Sequence, residues 1–231
     1  KYLDKRLVID KYTLENIIAQ YKEFHVPSSY IDRVDLIEFG VLTPDNLSKD
    51  FGLPLRILYA GRGAAQKRIW LLNQIVEYFL AHESPVKFTF AGSMANELSA
   101  LVKEHCIIYD EIGDKETLNK LYQQSHAIIL TSSFEGFPMV IKEGMSFGCI
   151  PIVTALPGNK THLKHLYNAL LIENSEDEQK VVQNAIKNIQ LLIDNHALIA
   201  SLSTQAYEYA RTHFRKDSFL NRYRELLKSR D

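Results

Sequence analysis

Cysteine occurs only twice in the 231-residue sequence, as Cys106 and Cys149, and each lies before or within a strand-like apolar run. Two thiols so placed exclude a disulfide framework and a thiolate metal site; they read as buried, reduced groups of a cytosolic protein. Neither sign of charge is in excess: 27 basic residues stand against 28 acidic ones, for a net charge of -1. Without a dense Lys/Arg block the chain lacks the basic field that nucleic acid would demand. No apolar run approaches the ~20 residues that cross a bilayer, and the opening Lys1–Leu7 has no leader pattern. Internal repeats and low-complexity tracts are also missing. The sequence does not begin with Met and starts close to a predicted strand, so it is expected to be part of a longer polypeptide.

What is present is ordinary globular composition, 46% hydrophobic and 24% charged, enough for one or two compact domains. Strand-like and helix-like segments alternate. Predicted strands are Arg6–Asp10, Val34–Phe39, Arg56–Ala60, Val86–Ala91, Ile107–Tyr109, Ala127–Thr131, Ile150–Thr154 and Ala169–Ile172. Predicted helices are Leu14–Phe24, Lys67–His82, Glu97–His105, Lys115–Ser125 and Pro138–Phe147, then three in succession: Ser175–Asn195, Leu198–His213 and Lys216–Lys228. In Lys67–His82, Ile69, Leu72, Ile75, Val76 and Phe79 repeat on one face. Strands separated by helices predict an α/β, doubly wound parallel sheet covered on both faces, with C-terminal helices. The polar, turn-rich stretch 43–53 reads as a linker.

Ligands of such sheets bind at the carboxyl ends of strands. That rule selects the loops Gly61–Lys67, Gly92–Ala95 and Ser132–Pro138. In the last, Glu135 sits in the turn, Gly136 permits a sharp bend, and Pro138 suits a first helical turn because its missing N–H costs nothing there. Glu143 follows about two turns down the helix. A helix start offers unpaired N–H groups and the positive end of its dipole to an anion such as a diphosphate, and carboxylates accept from sugar hydroxyls. In the first loop, Gly61 and Gly63 let backbone approach a ligand, and Arg62 and Lys67 offer a planar fork and a compact charge that can converge on one anion. The loop is not a dinucleotide fingerprint, since Gln66 stands where a third glycine belongs. By themselves, two glutamates at this spacing also fit an exposed helix face, and the two cations a solvated loop.

Taken together, Leu58–Lys67, the Glu135-to-Glu143 segment with its Gly-Phe-Pro, and Gly148-Cys-Ile-Pro-Ile-Val153 resemble segments of the two-Rossmann-domain retaining glycosyltransferases of family 4, the group 1 transferases. The resemblance covers about residues 54–225. It implies the C-terminal, donor-binding domain of the fold type called GT-B in residues 54–231, with residues 1–42 the tail of an acceptor-side domain. By this analogy Arg62, Lys67 and Glu135 carry catalysis, the cations gripping the diphosphate in place of a divalent metal. Gly61, Gly92, Gly136, Phe137, Pro138, Met139 and Val140 would line the donor, Glu143 would accept from the ribose, and Ile108 and Tyr109 would lie beside the base. No cofactor is implied; the substrate would be a UDP- or GDP-linked sugar. The acceptor, a glycan or lipid-linked glycan used in surface polysaccharide synthesis, would be held by the missing N-terminal domain. The isolated chain is therefore expected to bind donor weakly and transfer poorly.

Departures from the family pattern are Arg68, where Gly often follows the Lys, Asp110, the segment Leu156–His162, and Ala169. A nucleotide-sugar epimerase and a non-catalytic nucleotide-binding domain are the rival readings. His162 and His165 could share a face, but no carboxylate or thiolate stands at ligand spacing, so surface or loop positions are expected. Trp70 is expected to pack in the core. Lys216, Arg222, Arg224, Lys228 and Arg230 make the last helix basic, a solvated or domain-contacting face that could also attach peripherally to the inner face of an anionic membrane.

Overall fold

The structure, a computed structural model, describes residues 5–228. Arg230 of the basic helix lies outside that range. Six strands form one sheet: β3 (Leu55–Ala60), β4 (Val86–Ala91), β5 (Ile107–Tyr109), β6 (Ala127–Leu130), β7 (Ile150–Thr154) and β8 (Leu170–Ile172). All pairings are parallel, in the order β5-β4-β3-β6-β7-β8. The chain winds outward from β3 to β5, returns to the other side of β3, and winds outward again to β8. The reversal leaves a crevice between the ends of β3 and β6, where doubly wound sheets place their ligands. β6, β7 and β8 are buried at every position, which is why they read as continuous apolar runs rather than alternating ones.

Helices cover both faces. On one, α3 (Ile69–Ala81) packs against α4 (Ala100–His105) and α8 (Glu178–Asp194); on the other, α6 (Met139–Ser146) packs against α9 (His196–His213). α5 (Lys115–Gln124) joins that second layer through Tyr122, whose ring stacks on Phe147 at 6.1 Å. The α3 stripe predicted from periodicity, Ile69, Leu72, Ile75, Val76 and Phe79, is buried.

Before the sheet, β1 (Arg6–Val8) and β2 (Val34–Leu36) form a separate parallel pair, with α1 (Lys11–Glu23) and α2 (Ser28–Ile31) between them. Strand β1 ends two residues earlier than expected because Asp10 turns to cap α1, its carboxylate accepting from the Thr13 amide at 2.7 Å. This unit is pinned to the large body. The Val41 amide donates to Phe214 O at 2.7 Å, the Lys216 amide donates to Val41 O at 3.0 Å, and Phe39 meets Phe219 of α10 (Lys216–Lys228) at 5.7 Å. The stretch 43–53 lies against the body too: Tyr207 donates to Pro44 O at 2.7 Å and Lys49 to Tyr122 O at 3.0 Å.

Two expectations are corrected. The helix expected from Lys67 begins at Ile69, because residues 65–67 form a 3-10 turn and Arg68 adopts φ 51°, ψ 52°, a left-handed conformation that no helix contains. Trp70 is 41% exposed, its indole N–H donating to Glu178 on the surface rather than packing inside. His162 and His165 both lie in loops, as expected, and are not paired with each other. The ring nitrogens of His162 meet Tyr209 Oη at 3.1 Å and Glu38 Oε1 at 3.0 Å, while His165 Nδ1 accepts from the Leu171 amide. Of the two thiols, Cys149 is buried and Cys106 half-buried, where burial still pushes its pKa up to about 11.

Candidate functional site

Three strand ends meet at the crevice. β3 delivers Gly61, whose amide donates to Ala91 O at 2.9 Å. β4 delivers Gly92 at φ 125°, where a Cβ would lie 2.0 Å from Gly61 O. Only glycine lets the two backbones come this close. Tyr59, buried beneath the loop, donates to Arg62 O at 3.0 Å and fixes the turn from below. A cavity of about 300 Å³ opens above, lined by Gly61, Arg62, Gly92, Ser93, Glu111, Ile112, Leu118, Tyr122, Val140 and Glu143.

The β6 loop is the opposite wall. Ser133 N–H donates to Gln66 O at 2.8 Å, joining the two loops directly. Lys67 turns to Glu135 and forms an ion pair in which each side chain is only 13% exposed. Lys67 therefore does not share the cavity with Arg62, as a simple convergence of the two cations would have it. Gly136 is squeezed: its carbonyl lies 1.8 Å from where a Cβ on Gly158 would be, and its own Cβ would meet Asp10 at 3.0 Å. Phe137 points inward, 4.5 Å from His162 and 5.6 Å from Phe214 by ring centroid, so only its backbone is offered to a ligand. Pro138 caps α6, and Met139 and Val140 form its first turn with Val140 on the cavity wall. Their amides lie where a helix has no internal acceptor.

Glu143 reaches the cavity floor. Its Oε2 accepts from the buried Tyr122 hydroxyl at 3.0 Å. Burial raises the Glu143 pKa above its ordinary value, against the opposing effects of the Tyr122 hydrogen bond and the Lys115 charge. Burial likewise raises that of Tyr122, so it stays a neutral donor. Ile108 and Tyr109 lie on β5 next to Gly92, with Tyr109 O accepting from its amide at 3.1 Å. At that edge the cavity wall is made by Glu111 and Ile112.

Sequence reasoning missed Tyr122, Glu111 and Ile112. Tyr122 carried a weak signal, an aromatic at the end of an amphipathic helix. Behind the site lies a further unforeseen group: the buried Lys142 ammonium, 3.5 Å from Glu38 Oε2, 3.3 Å from Phe39 O, and 4.8 Å from the Phe214 ring centre.

The family model of glycosyl transferases group 1 matches residues 48–212. The GtfA subunit of the UDP-N-acetylglucosamine–peptide N-acetylglucosaminyltransferase of Streptococcus pneumoniae is 26% identical over 174 residues, which is 71% of this chain and 34% of that one. An uncharacterised glycosyltransferase of Methanocaldococcus jannaschii is 26% identical over 121 residues, 50% of this chain and 31% of its own. The chain thus spans about a third of the length of these curated relatives. Among solved structures, the pneumococcal O-GlcNAc transferase GtfA in complex with UDP and GlcNAc matches with a TM-score of 0.78 at 20% identity, over 98% of this chain and 45% of that one. Anabaena HepE in complex with UDP-glucose matches with a TM-score of 0.74 at 14% identity, over 99% and 65%. At such identities the structural likeness establishes the fold alone. The family match is of another kind: it runs from Ser48 to Thr212, through β3 to α9 and every loop around the cavity, and by it the chain belongs to the glycosyl transferases group 1.

Proposed function

We propose that this chain is the donor-binding half of a retaining glycosyltransferase and that it takes the nucleoside diphosphate of a UDP-linked sugar at the β3/β6 crevice. One observation carries the reading: Gly61, Arg62, Gly92, the first turn of α6 and the Tyr122-held Glu143 all border one cavity at the strand ends. The glycines admit the diphosphate close to the backbone, Arg62 offers a two-pronged donor, and the α6 amides add a third set of donors. Glu143 keeps an oxygen for the ribose hydroxyls. The Lys67–Glu135 pair sits next to this, with both groups held and shielded. Donor binding draws Lys67 to the phosphates and leaves Glu135 to the sugar.

In the transfer, the bond between the anomeric carbon and the phosphate oxygen breaks, and negative charge grows on the departing diphosphate. Arg62 and Lys67 are the groups that stabilise it, without a divalent metal. Two complexes among the structural neighbours, one with UDP and GlcNAc and one with UDP-glucose, favour UDP over GDP. The acceptor, a glycan or lipid-linked glycan, is bound by polypeptide beyond this chain, and contact of the basic α10 with a membrane surface belongs with the lipid-linked case. In this reading residues 1–42 end the acceptor-side domain and 43–53 are the link.

The test is calorimetric titration with UDP, GDP and ADP in the absence of metal, on the wild type and Glu143→Ala. UDP is expected to bind in preference, and the substitution to weaken it about tenfold or more, the worth of hydrogen bonds to a charged acceptor. Equal binding of all three nucleotides, or an unchanged affinity in Glu143→Ala, refutes the assignment.

A further inference from the structure

Arg68 is buried, 4% exposed, yet it is the residue that follows the candidate phosphate cation Lys67. It holds φ 51°, a region that disfavours every side chain except those of a few small polar residues. Such strain persists where surrounding contacts over-determine it, and here they do. Arg68 Nε donates to Thr131 O at 2.6 Å, one terminal nitrogen donates to Ser132 O at 3.2 Å, and the other donates to Ser175 O at 2.9 Å. Thr131 answers by donating its hydroxyl to Lys67 O at 3.0 Å. Three chain segments, following β3, β6 and β8, are thereby tied to one guanidinium.

We infer that Arg68 is a positioning residue that sets the Lys67 loop against the Glu135 loop and so fixes the anion site before any ligand arrives. The inference rests on the proposed donor site for its functional consequence, but the clamp can be tested without it. All three acceptors are carbonyls, and among the described residues Arg68 has no ion-pair partner. Burial works to lower its pKa, and the carboxylates of Glu178 and Glu176, farther off than an ion pair, act to raise it. A lysine could supply the charge but not a planar fork that reaches three carbonyls in different directions. Glycine adopts the same left-handed backbone with no side chain, so the guanidinium can be removed without changing the backbone shape.

Arg68→Gly separates the two contributions, because glycine accepts the left-handed backbone without strain. Melting temperature checks that the variant folds, and Arg68→Lys keeps charge without the fork. Amide hydrogen exchange is followed at Ser133, whose N–H crosses to Gln66. We expect exchange there to quicken about tenfold or more in both variants, UDP affinity to fall by about tenfold to a hundredfold, and added guanidinium to restore part of it in Arg68→Gly alone. Unchanged exchange at Ser133 overturns the clamp. Quickened exchange with wild-type UDP affinity overturns the positioning role. A wild type that binds no nucleoside diphosphate overturns the donor-site reading instead, and the exchange result still decides the clamp.

Discussion

Removing one acid behind the site has an effect that depends on what it leaves unpaired. Lys142 is 2% exposed and Glu38 18%, and they are 3.5 Å apart. Burial lowers the Lys142 pKa, with Glu38 acting to raise it. For Glu38, burial works to raise the pKa, but the His162 hydrogen bond and the His162 and Lys142 charges outweigh it, and the net direction is down. Glu38→Gln therefore strands an ammonium in the interior. Stranding a buried partner costs about 3–5 kcal/mol, but the Asp10 charge, the Phe39 carbonyl and the Phe214 face remain, and cation–π contact retains roughly 1 kcal/mol. We expect a loss of about 2–3 kcal/mol, or a fall in Tm of roughly 4–12 °C for a chain of this size. Lys142→Met removes the charge, fills nearly the same volume, and leaves Glu38 its His162 partner. It should lie within about 1 kcal/mol of the wild type or above it. The double variant should then be more stable than Glu38→Gln alone. Urea unfolding at neutral pH of all four proteins gives the cycle. Additive losses, or Lys142→Met as damaging as Glu38→Gln, would refute the argument that the stranded ammonium is the cause.

Three more expectations concern the site and its supports. Gly158→Ala puts a Cβ 1.8 Å from Gly136 O, so the Glu135 turn must move, and UDP titration should show about a hundredfold weaker binding from that displacement; native affinity would show that the turn is not part of the site. Tyr122→Phe takes away the donor that opposes the burial-driven rise of the Glu143 pKa. Nucleotide affinity, measured against pH, should begin to fall at a higher pH in the variant than in the wild type, and identical profiles would separate Glu143 from binding. His126 is held neutral, its pKa lowered to about 4 by burial first and then by Arg56, with Nδ1 accepting from the Arg56 amide at 3.1 Å. Its folded-state pKa lies below the ordinary 6.5, so its contribution is present above that value and is lost as pH falls toward 4. A His126→Asn variant should lose less stability than the wild type between pH 7 and pH 5 in urea unfolding.

The parallel sheet was legible because its evidence is local and repeated. Each strand is an apolar run, each crossover a helical period, and parallel pairing follows from the alternation. Glu135, Pro138 and Glu143 were legible for the same reason, since one loop and one helix contain them all. What was not legible depends on contacts between distant segments. Lys67 meets Glu135 across 68 positions and Glu38 meets His162 across 124, and no periodicity encodes either. The two failures at the start of α3 have one source. A run of Lys, Arg, Ile and Trp has good helical propensity, but three carbonyls hold the Arg68 side chain and keep its backbone left-handed. That ends the 3-10 turn, delays the helix by two residues, and turns Trp70 to the surface. Tertiary demand at the candidate ligand loops overrides propensity at the position next to the proposed phosphate cation, and strand ends that serve a ligand are where such a conflict is expected.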